Sequence, residues 1–359
     1  RSAGRTVLGR INSAMPVSLS LSMKTFESLN PATGDVIGVF HQTSAREVDD
    51  VVNKANVASE HWASLSFRKR GIILRDWASL LTREIESSAD LIHRETGKPL
   101  SDARLEVSIA IEHIGWAAKY APKVLSDQSR PSGLLMFNMK AQVQRSPLGV
   151  VGVIGPWNYP MFTPMGSIVY ALAAGNAVVF KPSEFTPGGG KWLADSFAQI
   201  APFENIFTTV TGLPDTGKAL TQSKVNKISF TGSTKTAKKV AESCAASMIP
   251  VVLECGGKDP VIVAKDADIK LAAEYTLWSA MANAGQSCVG AERVYVDERV
   301  ADTFIEKAIA LASTLKAGAP GEGNYGASTM PSQIGVITSH IKAAIKDGGK
   351  FAYGSMKSI

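Results

Sequence analysis

Two patterns of apolar residues divide the chain. Over residues 45–95 apolar positions recur three and four residues apart, which predicts helices. From Gly149 onward, short β-rich runs alternate with helical segments. The predicted strands are residues 150–154, 177–180, 206–210, 227–230 and 251–253, with helices beginning near Pro160, Pro187, Asp215 and Ser233. This alternation predicts right-handed βαβ units, a parallel sheet and an α/β fold.

Ligands of such sheets bind at the carboxyl ends of the strands, and chemically useful residues follow three of the predicted strands. Asn158, between Pro156-Trp157 and Pro160, offers an amide donor for an oxyanion, or else completes a turn. Lys181, Ser183 and Glu184 suit ribose hydroxyls or a solvated helix start. Phe230-Thr231-Gly232-Ser233 opens a helix, where backbone N–H groups suit a phosphate or an ordinary N-cap. It is not the G-x-G-x-x-G fingerprint.

Two glycine-flanked segments carry a thiol and a carboxylate. The first is Gly285-Gln286-Ser287-Cys288, and the second is Leu253-Glu254-Cys255-Gly256-Gly257. A thiol becomes a nucleophile when a base or a positive field activates it, so the pair suggests covalent catalysis through sulfur. The structural alternative is a buried Cys288 and a surface Glu254 at a turn. We interpret Cys244 and Cys255 as packing residues.

Composition narrows the class of protein. The 359 residues are 45% hydrophobic and 19% charged, as in globular enzymes with a large core. Three cysteines and five scattered histidines favour neither a disulfide framework nor a metal site. We therefore expect no metal and a cytoplasmic location.

The net charge of +6 owes four charges to Arg1, Arg5, Arg10 and Lys24, so nucleic-acid binding is not favoured. Residues 146–180 carry no charge, but prolines interrupt them, so a membrane span is not expected. Residues 1–23 contain no acid and are predicted to be a disordered or leader-like extension.

Together and in this order, these motifs resemble the aldehyde dehydrogenase superfamily from about Phe26 to the end of the chain. The resemblance implies a Rossmann-like NAD-binding domain (24–137 and 148–255), part of an oligomerisation arm (138–147) and an α/β catalytic domain (256–359). It implies that Cys288 attacks an aldehyde, that Asn158 and the Cys288 N–H hold the oxyanion, and that Glu254 activates water to release a carboxylic acid.

The cofactor implied is NAD, with NADP as the alternative, because Glu184 near a ribose 2′-OH would repel a 2′-phosphate. The residues implied to bind it are Pro156, Trp157, Lys181, Ser183, Glu184, Gly212, Phe230, Thr231, Gly232 and Ser233. The implied partners are a small-molecule aldehyde, whose identity stays open, and, in the full-length form, a second copy or three further copies of the chain.

The sequence departs from the family pattern at three places. Ala237 stands where a second glycine is common, and Met281 stands where an aromatic residue is common, which affects the aldehyde tunnel. The Glu-x-Phe-Gly-Pro block and C-terminal strand are absent, so we expect an incomplete catalytic domain and a fragment that folds poorly or is inactive. Two alternatives stay open: a relative that passes its acyl group to coenzyme A, and a non-catalytic protein that keeps binding or association roles.

Overall fold

The structure, a computed structural model, describes residues 24–318 and 323–356. The predicted extension, residues 1–23, lies outside the described residues. The described chain begins with an antiparallel strand pair and four helices. These are β1 (Thr25–Leu29), β2 (Val36–His41), α1 (Ala45–Ser64), α2 (Phe67–Arg83), α3 (Ile85–Thr96) and α4 (Leu100–Val124). The helical prediction for residues 45–95 is therefore confirmed.

The start of α1 is fixed by a capping box, in which a residue before the helix and one in its first turn satisfy each other's backbone N–H groups. The Ser44 hydroxyl accepts from the Glu47 N–H at 3.4 Å, and the Ser44 N–H donates to Glu47 Oε2 at 2.7 Å. Glu47 also accepts from His41 of β2, at 2.9 Å. The first helix is thereby tied to the strand pair before it.

A small hairpin follows these helices in the sequence and precedes the first strand of the main sheet. Its strands are β3 (Gln128–Arg130) and β4 (Ala141–Val143), which pair antiparallel. The segment 138–147, predicted to be part of an oligomerisation arm, contains only β4. The strand that pairs with β4 is β3, which lies before this segment in the sequence. Leu134, Leu135 and Phe137 between the strands are each more than 80% exposed.

The main sheet has five parallel strands in the order β7-β6-β5-β8-β9, and helices connect them. The elements are β5 (Val150–Ile154), α5 (Phe162–Ala173), β6 (Ala177–Lys181), α6 (Pro187–Ala198), β7 (Phe207–Thr209), α7 (Pro214–Gln222), β8 (Lys227–Gly232), α8 (Thr234–Ala245) and β9 (Val251–Cys255). All five predicted strands are present, and the α/β Rossmann-like fold is confirmed. The helix predicted near Pro160 begins two residues later, at Phe162.

Alternate residues of the central strands enter two different cores. Val151 of β5 and Val178 of β6 belong to a core that includes residues of α2 to α6. Val150 and Val179, on the opposite face, belong to a core shared with α1, α7 and α8. Because both faces are covered by helices, the strands are apolar throughout rather than alternating. The result is a three-layer sandwich.

The chain reverses direction across the sheet between β5 and β8. From β5 it proceeds outward through β6 to β7, and then returns to place β8 on the other side of β5. In open parallel sheets, the crevice at the carboxyl end of such a switch point is the usual ligand site. The loop after β5 carries Asn158 to this edge, and Gly232 at the end of β8 and Ser233 after it lie there too.

The rest of the described chain forms a smaller unit around two parallel strands. Its elements are β10 (Asp259–Val263), α9 (Ile269–Met281), β11 (Ala291–Val296), α10 (Ala301–Ala312) and α11 (Ser332–Lys346). Val263, Ala273 and Phe304 form its small buried core. None of the helices in the described part of the chain combines the length and apolarity that a membrane crossing requires.

Candidate active site

The turn before Cys288 has a left-handed backbone. Asn283, Ala284 and Gly285 have φ angles of 53°, 57° and 74°. Residues other than glycine take this conformation only when surrounding contacts hold them there. The turn connects α9 to β11 and leaves the side chain of Cys288 exposed.

Asn158 reaches this turn from the loop after β5. Its Nδ2 donates to the carbonyl oxygen of Gln286 at 2.8 Å. Asn283 donates to the same carbonyl at 3.2 Å and to the Asn158 carbonyl at 3.0 Å. Gln286 is held in turn through its Oε1, which accepts from the Thr329 N–H at 2.9 Å. The structure therefore brings Asn158 to the segment that carries Cys288.

A buried ion pair, not predicted from the sequence, lies directly behind Asn158. The side chains of Lys98 and Glu106 are fully buried, with 2.6 Å between Lys98 Nζ and Glu106 Oε2. Lys98 Nζ also donates to the Asn158 carbonyl at 2.8 Å. Glu106 Oε1 accepts from the N–H groups of Met161 at 2.8 Å and Phe162 at 3.2 Å. The pair therefore contacts both ends of the loop.

One sequence signal could have revealed this pair. Glu106 lies within the buried stripe of α4, where its neighbours on the same face are apolar: Ala103, Val107, Ala110 and Ile114. A carboxylate inside such a stripe requires a partner, because burying an unpaired charge is very costly. Lys98, by contrast, precedes the helix and carries no helical pattern.

A pocket of about 600 Å³ opens beside Cys288. Most of its wall is apolar, with side chains from α4, α5, α9 and α10: Leu105, Ile109, Phe162, Leu277, Trp278 and Leu311. Met281, the departure from the family pattern, also lines it. Asp102 and Glu274 add carboxylates, and burial raises the pKa of Asp102. The pocket can hold a small organic molecule next to the thiol.

The end of β6 carries a buried cation. Lys181 and Ser183 are buried, whereas Glu184 is partly exposed. Lys181 Nζ lies 3.4 Å from Glu184 Oε2. Burial lowers the pKa of Lys181, and the charge of Glu184 opposes that shift. The two side chains thus present a donor and an acceptor at one edge of the sheet.

The loop after β8 leads into the N-terminus of α8. Ser233 is the N-cap, and its hydroxyl accepts from the Thr236 N–H at 3.2 Å. No acid occurs in the first turn of α8, so the positive end of the helix dipole is not neutralised there. Ala237, which replaces the common second glycine, is buried within the sheet–helix core. These features suit an anion.

The other predicted cofactor residues lie around the same edge. Pro156 and Trp157 follow β5 and are partly exposed. Phe230 is buried and Thr231 partly exposed at the end of β8, next to Gly232. Gly212 is buried after β7, where a Cβ would lie 2.1 Å from Thr216 Oγ1. A side chain at residue 212 would therefore displace the start of α7.

Glu254 lies at the end of β9, with its Cα in register with that of Thr231. Its side chain is exposed and is not among the residues that line the pocket beside Cys288. The interpretation of Cys255 as a packing residue is wrong, since the residue is exposed at the end of an edge strand. Cys244, on α8, is buried as predicted. Among the described residues, no cluster of three or more metal-ligating side chains occurs.

Comparisons with known proteins identify the family. The model of the aldehyde dehydrogenase family matches residues 19–358. The chain belongs to the aldehyde dehydrogenase family. A D-glyceraldehyde dehydrogenase (NADP(+)) of Thermoplasma acidophilum is 32% identical over 339 residues, which cover 93% of this chain and 68% of that protein. The resemblance inferred from the motifs is therefore confirmed for the family.

Solved structures of similar sequence have the same fold. An NADP-dependent enzyme of E. coli superposes with a TM-score of 0.88 and 34% identity, covering 92% of this chain and 69% of that one. An aldehyde dehydrogenase of Bacillus cereus, solved as an NAD+ complex, gives a TM-score of 0.88 and 30% identity, covering 92% and 68%.

Proposed function

We propose that this protein oxidises an aldehyde to a carboxylic acid, with Cys288 as the nucleophile. The observation that carries this proposal is the 2.8 Å bond from Asn158 Nδ2 to the carbonyl of Gln286, two residues before the cysteine. It holds an amide donor against the turn that leads to Cys288, whose exposed thiol lines a pocket large enough for a small aldehyde. A thiol, an oxyanion donor and a pocket are the minimum that acyl chemistry requires.

The edge of the sheet fits a nicotinamide dinucleotide. The N-terminus of α8 offers N–H groups to a pyrophosphate, while Lys181 and Glu184 suit ribose hydroxyls. Relatives described as NADP(+)-dependent and as an NAD+ complex support this assignment. The chemistry that such a cofactor supplies when bound is acceptance of a hydride.

The side chains of the protein account for the other steps. Cys288 Sγ attacks the aldehyde carbon, and the oxyanion accepts from the Asn158 amide and the Cys288 N–H. Loss of hydride from that carbon leaves a thioester on Cys288. Glu254 takes a proton from water, which attacks the thioester and releases the acid and the thiolate.

Self-association is proposed through the β3–β4 hairpin. Its loop exposes Leu134, Leu135 and Phe137, an apolar surface that favours association. Sedimentation velocity of the chain and of a Leu135→Ser/Phe137→Ser variant tests this role. The variant is expected to sediment more slowly, and an unchanged sedimentation coefficient would contradict self-association through the hairpin.

Formation of reduced cofactor at 340 nm, followed with a panel of aldehydes, tests the proposed activity. Turnover by the 359-residue chain would contradict the expectation of an inactive fragment, and any turnover is expected to disappear in Cys288→Ala and to persist in Cys255→Ala, whose thiol is also exposed. Product analysis belongs to the same experiment, because an acyl-coenzyme A product in place of the free acid would contradict hydrolysis by Glu254.

A further inference from the structure

Lys98 and Glu106 form the most deeply buried ion pair found in the described residues, and both contact the loop after β5. Both side chains are 0% exposed. The cost of removing two charges from water is large, so such a pair requires further bonds to be tolerated. Those bonds go to the backbone of residues 158–162.

The pair holds the loop at both ends. Lys98 Nζ donates to the carbonyl of Asn158 at 2.8 Å, and Glu106 Oε1 accepts from the N–H groups of Met161 and Phe162. Lys98 Nζ also lies 4.3 Å from the ring centroid of Tyr159. Four of the five loop residues therefore contact one ion pair through backbone or ring.

This contact fixes the backbone from which the Asn158 amide projects. The amide extends from the same residue whose carbonyl Lys98 binds, and it ends 2.8 Å from Gln286 O. We propose that Lys98 and Glu106 are positioning residues that set the Asn158 amide for the oxyanion formed at Cys288. The inference rests on the proposed function, because it assumes that Asn158 is the donor.

Two reagents distinguish the positioning of the Asn158 amide from the accessibility of the Cys288 thiol. With p-nitrophenyl acetate, Cys288 Sγ attacks the ester carbonyl, an oxyanion forms, and p-nitrophenolate leaves as an acetyl thioester remains. With iodoacetamide, Sγ displaces iodide and no oxyanion forms. The ratio of acylation to alkylation rates therefore measures oxyanion stabilisation, and neither reaction requires a cofactor. All proteins carry Cys255→Ala, since that thiol is exposed, and rates in Cys288→Ala are subtracted.

The variants are Lys98→Met, the charge-free pair Lys98→Met/Glu106→Gln, and Asn158→Ala. The second variant keeps an acceptor for Met161 and Phe162 and leaves no buried charge unpaired, so it protects folding. The matched control is Arg70→Met. Arg70 is another buried cation that donates to backbone carbonyls, including that of Ala173 at 3.1 Å, away from the pocket.

Asn158→Ala is expected to lower the ratio, and both Lys98 variants are expected to lower it by about 10- to 100-fold, as small misplacements do. Arg70→Met is expected to leave it unchanged. A normal ratio in the charge-free pair, with a reduced ratio in Asn158→Ala, would overturn the positioning role and leave the proposed function intact. An unchanged ratio in Asn158→Ala would contradict both the positioning role of Lys98 and Glu106 and the proposed function of Asn158 as oxyanion donor.

Discussion

Asn158 Nδ2 lies 2.8 Å from the carbonyl oxygen of Gln286, and this bond joins the loop after β5 to the turn before Cys288. An amide NH2 group has two hydrogens, so one can hold the side chain in place while the other donates to a ligand. A donor that is fixed before the substrate arrives costs no reorganisation when negative charge develops. The bond thus links the main sheet to the smaller unit. The same bond fixes the position of the Asn158 amide before a substrate binds.

Removing this donor is expected to slow the chemical step. Asn158→Ala should lower kcat by about 10²–10³-fold, which is the usual effect of losing one oxyanion donor. KM should change little, because the donor acts mainly on the oxyanion. Steady-state kinetics at 340 nm measure both constants. If Asn158→Ala kept the kcat of the parent, a group other than the Asn158 amide would stabilise the oxyanion.

Glu254 is expected to affect hydrolysis rather than hydride loss. Glu254→Gln should retain a rapid burst of reduced cofactor and then turn over about 10²–10⁴-fold more slowly, because the thioester persists without a base. Stopped-flow absorbance at 340 nm resolves the two phases. Glu242→Gln, on the exposed face of α8, is the matched control. Loss of the burst together with turnover would contradict the assigned role.

Glu184 is expected to control the choice between NAD and NADP. Two unit charges about 4 Å apart repel by about 1 kcal/mol in water and by about 4 kcal/mol near a protein surface, so a carboxylate there disfavours a 2′-phosphate. Glu184→Gln should therefore raise the affinity for NADP relative to NAD by about tenfold or more. The ratio of the two KM values measures this.

The control for Glu184→Gln is Glu204→Gln, in the exposed loop between α6 and β7. It removes the same charge at the opposite end of the strands. An equal shift in both variants would mean that net charge, and not the contact of Glu184 with the ribose, sets the preference.

Much of this site could be predicted because the order of the strands, and of the residues that follow each strand, can be read from the sequence. The strands are short β-branched runs, and parallel strands bring the residues that follow them to one edge, so Asn158, Lys181 and Gly232 could be grouped without coordinates. The strand boundaries were less accurate: β8 extends to Gly232 and β9 to Cys255, two residues beyond each prediction.

The remainder depends on contacts between distant segments. Lys98 is 60 residues from Asn158, and no local pattern connects them. The left-handed Asn283 is held by a tertiary hydrogen bond to the carbonyl of Asn158, which propensity does not encode. The prediction for Cys255 was wrong because its exposure depends on β9 being an edge strand, a property of the sheet order.

The capping box at the start of α1 is expected to make stability depend on pH in acid. The Ser44 N–H, the Ser44 hydroxyl and His41 all bind the Glu47 carboxylate, and they lower the pKa of Glu47 from 4.5 to about 2. Because the folded pKa is lowered, this stabilisation is complete above about pH 4.5 and is lost as the pH falls towards 2. Its size is about 1 kcal/mol or less, since the carboxylate is largely exposed.

Urea unfolding at pH 7 and at pH 3 measures this effect in the parent chain and in Glu47→Gln. The parent should have the larger free energy of unfolding at pH 7, and the difference between the two proteins should shrink at pH 3. Below about pH 4.5 the Glu47 carboxylate of the unfolded chain takes up a proton, whereas that of the folded chain, with a pKa of about 2, is still mostly ionised. Glu60→Gln, on an exposed position of the same helix but outside the cap, should show no such convergence. A difference that stays constant with pH would mean that the amide introduced at position 47 fails for steric reasons and that charge at the cap contributes nothing.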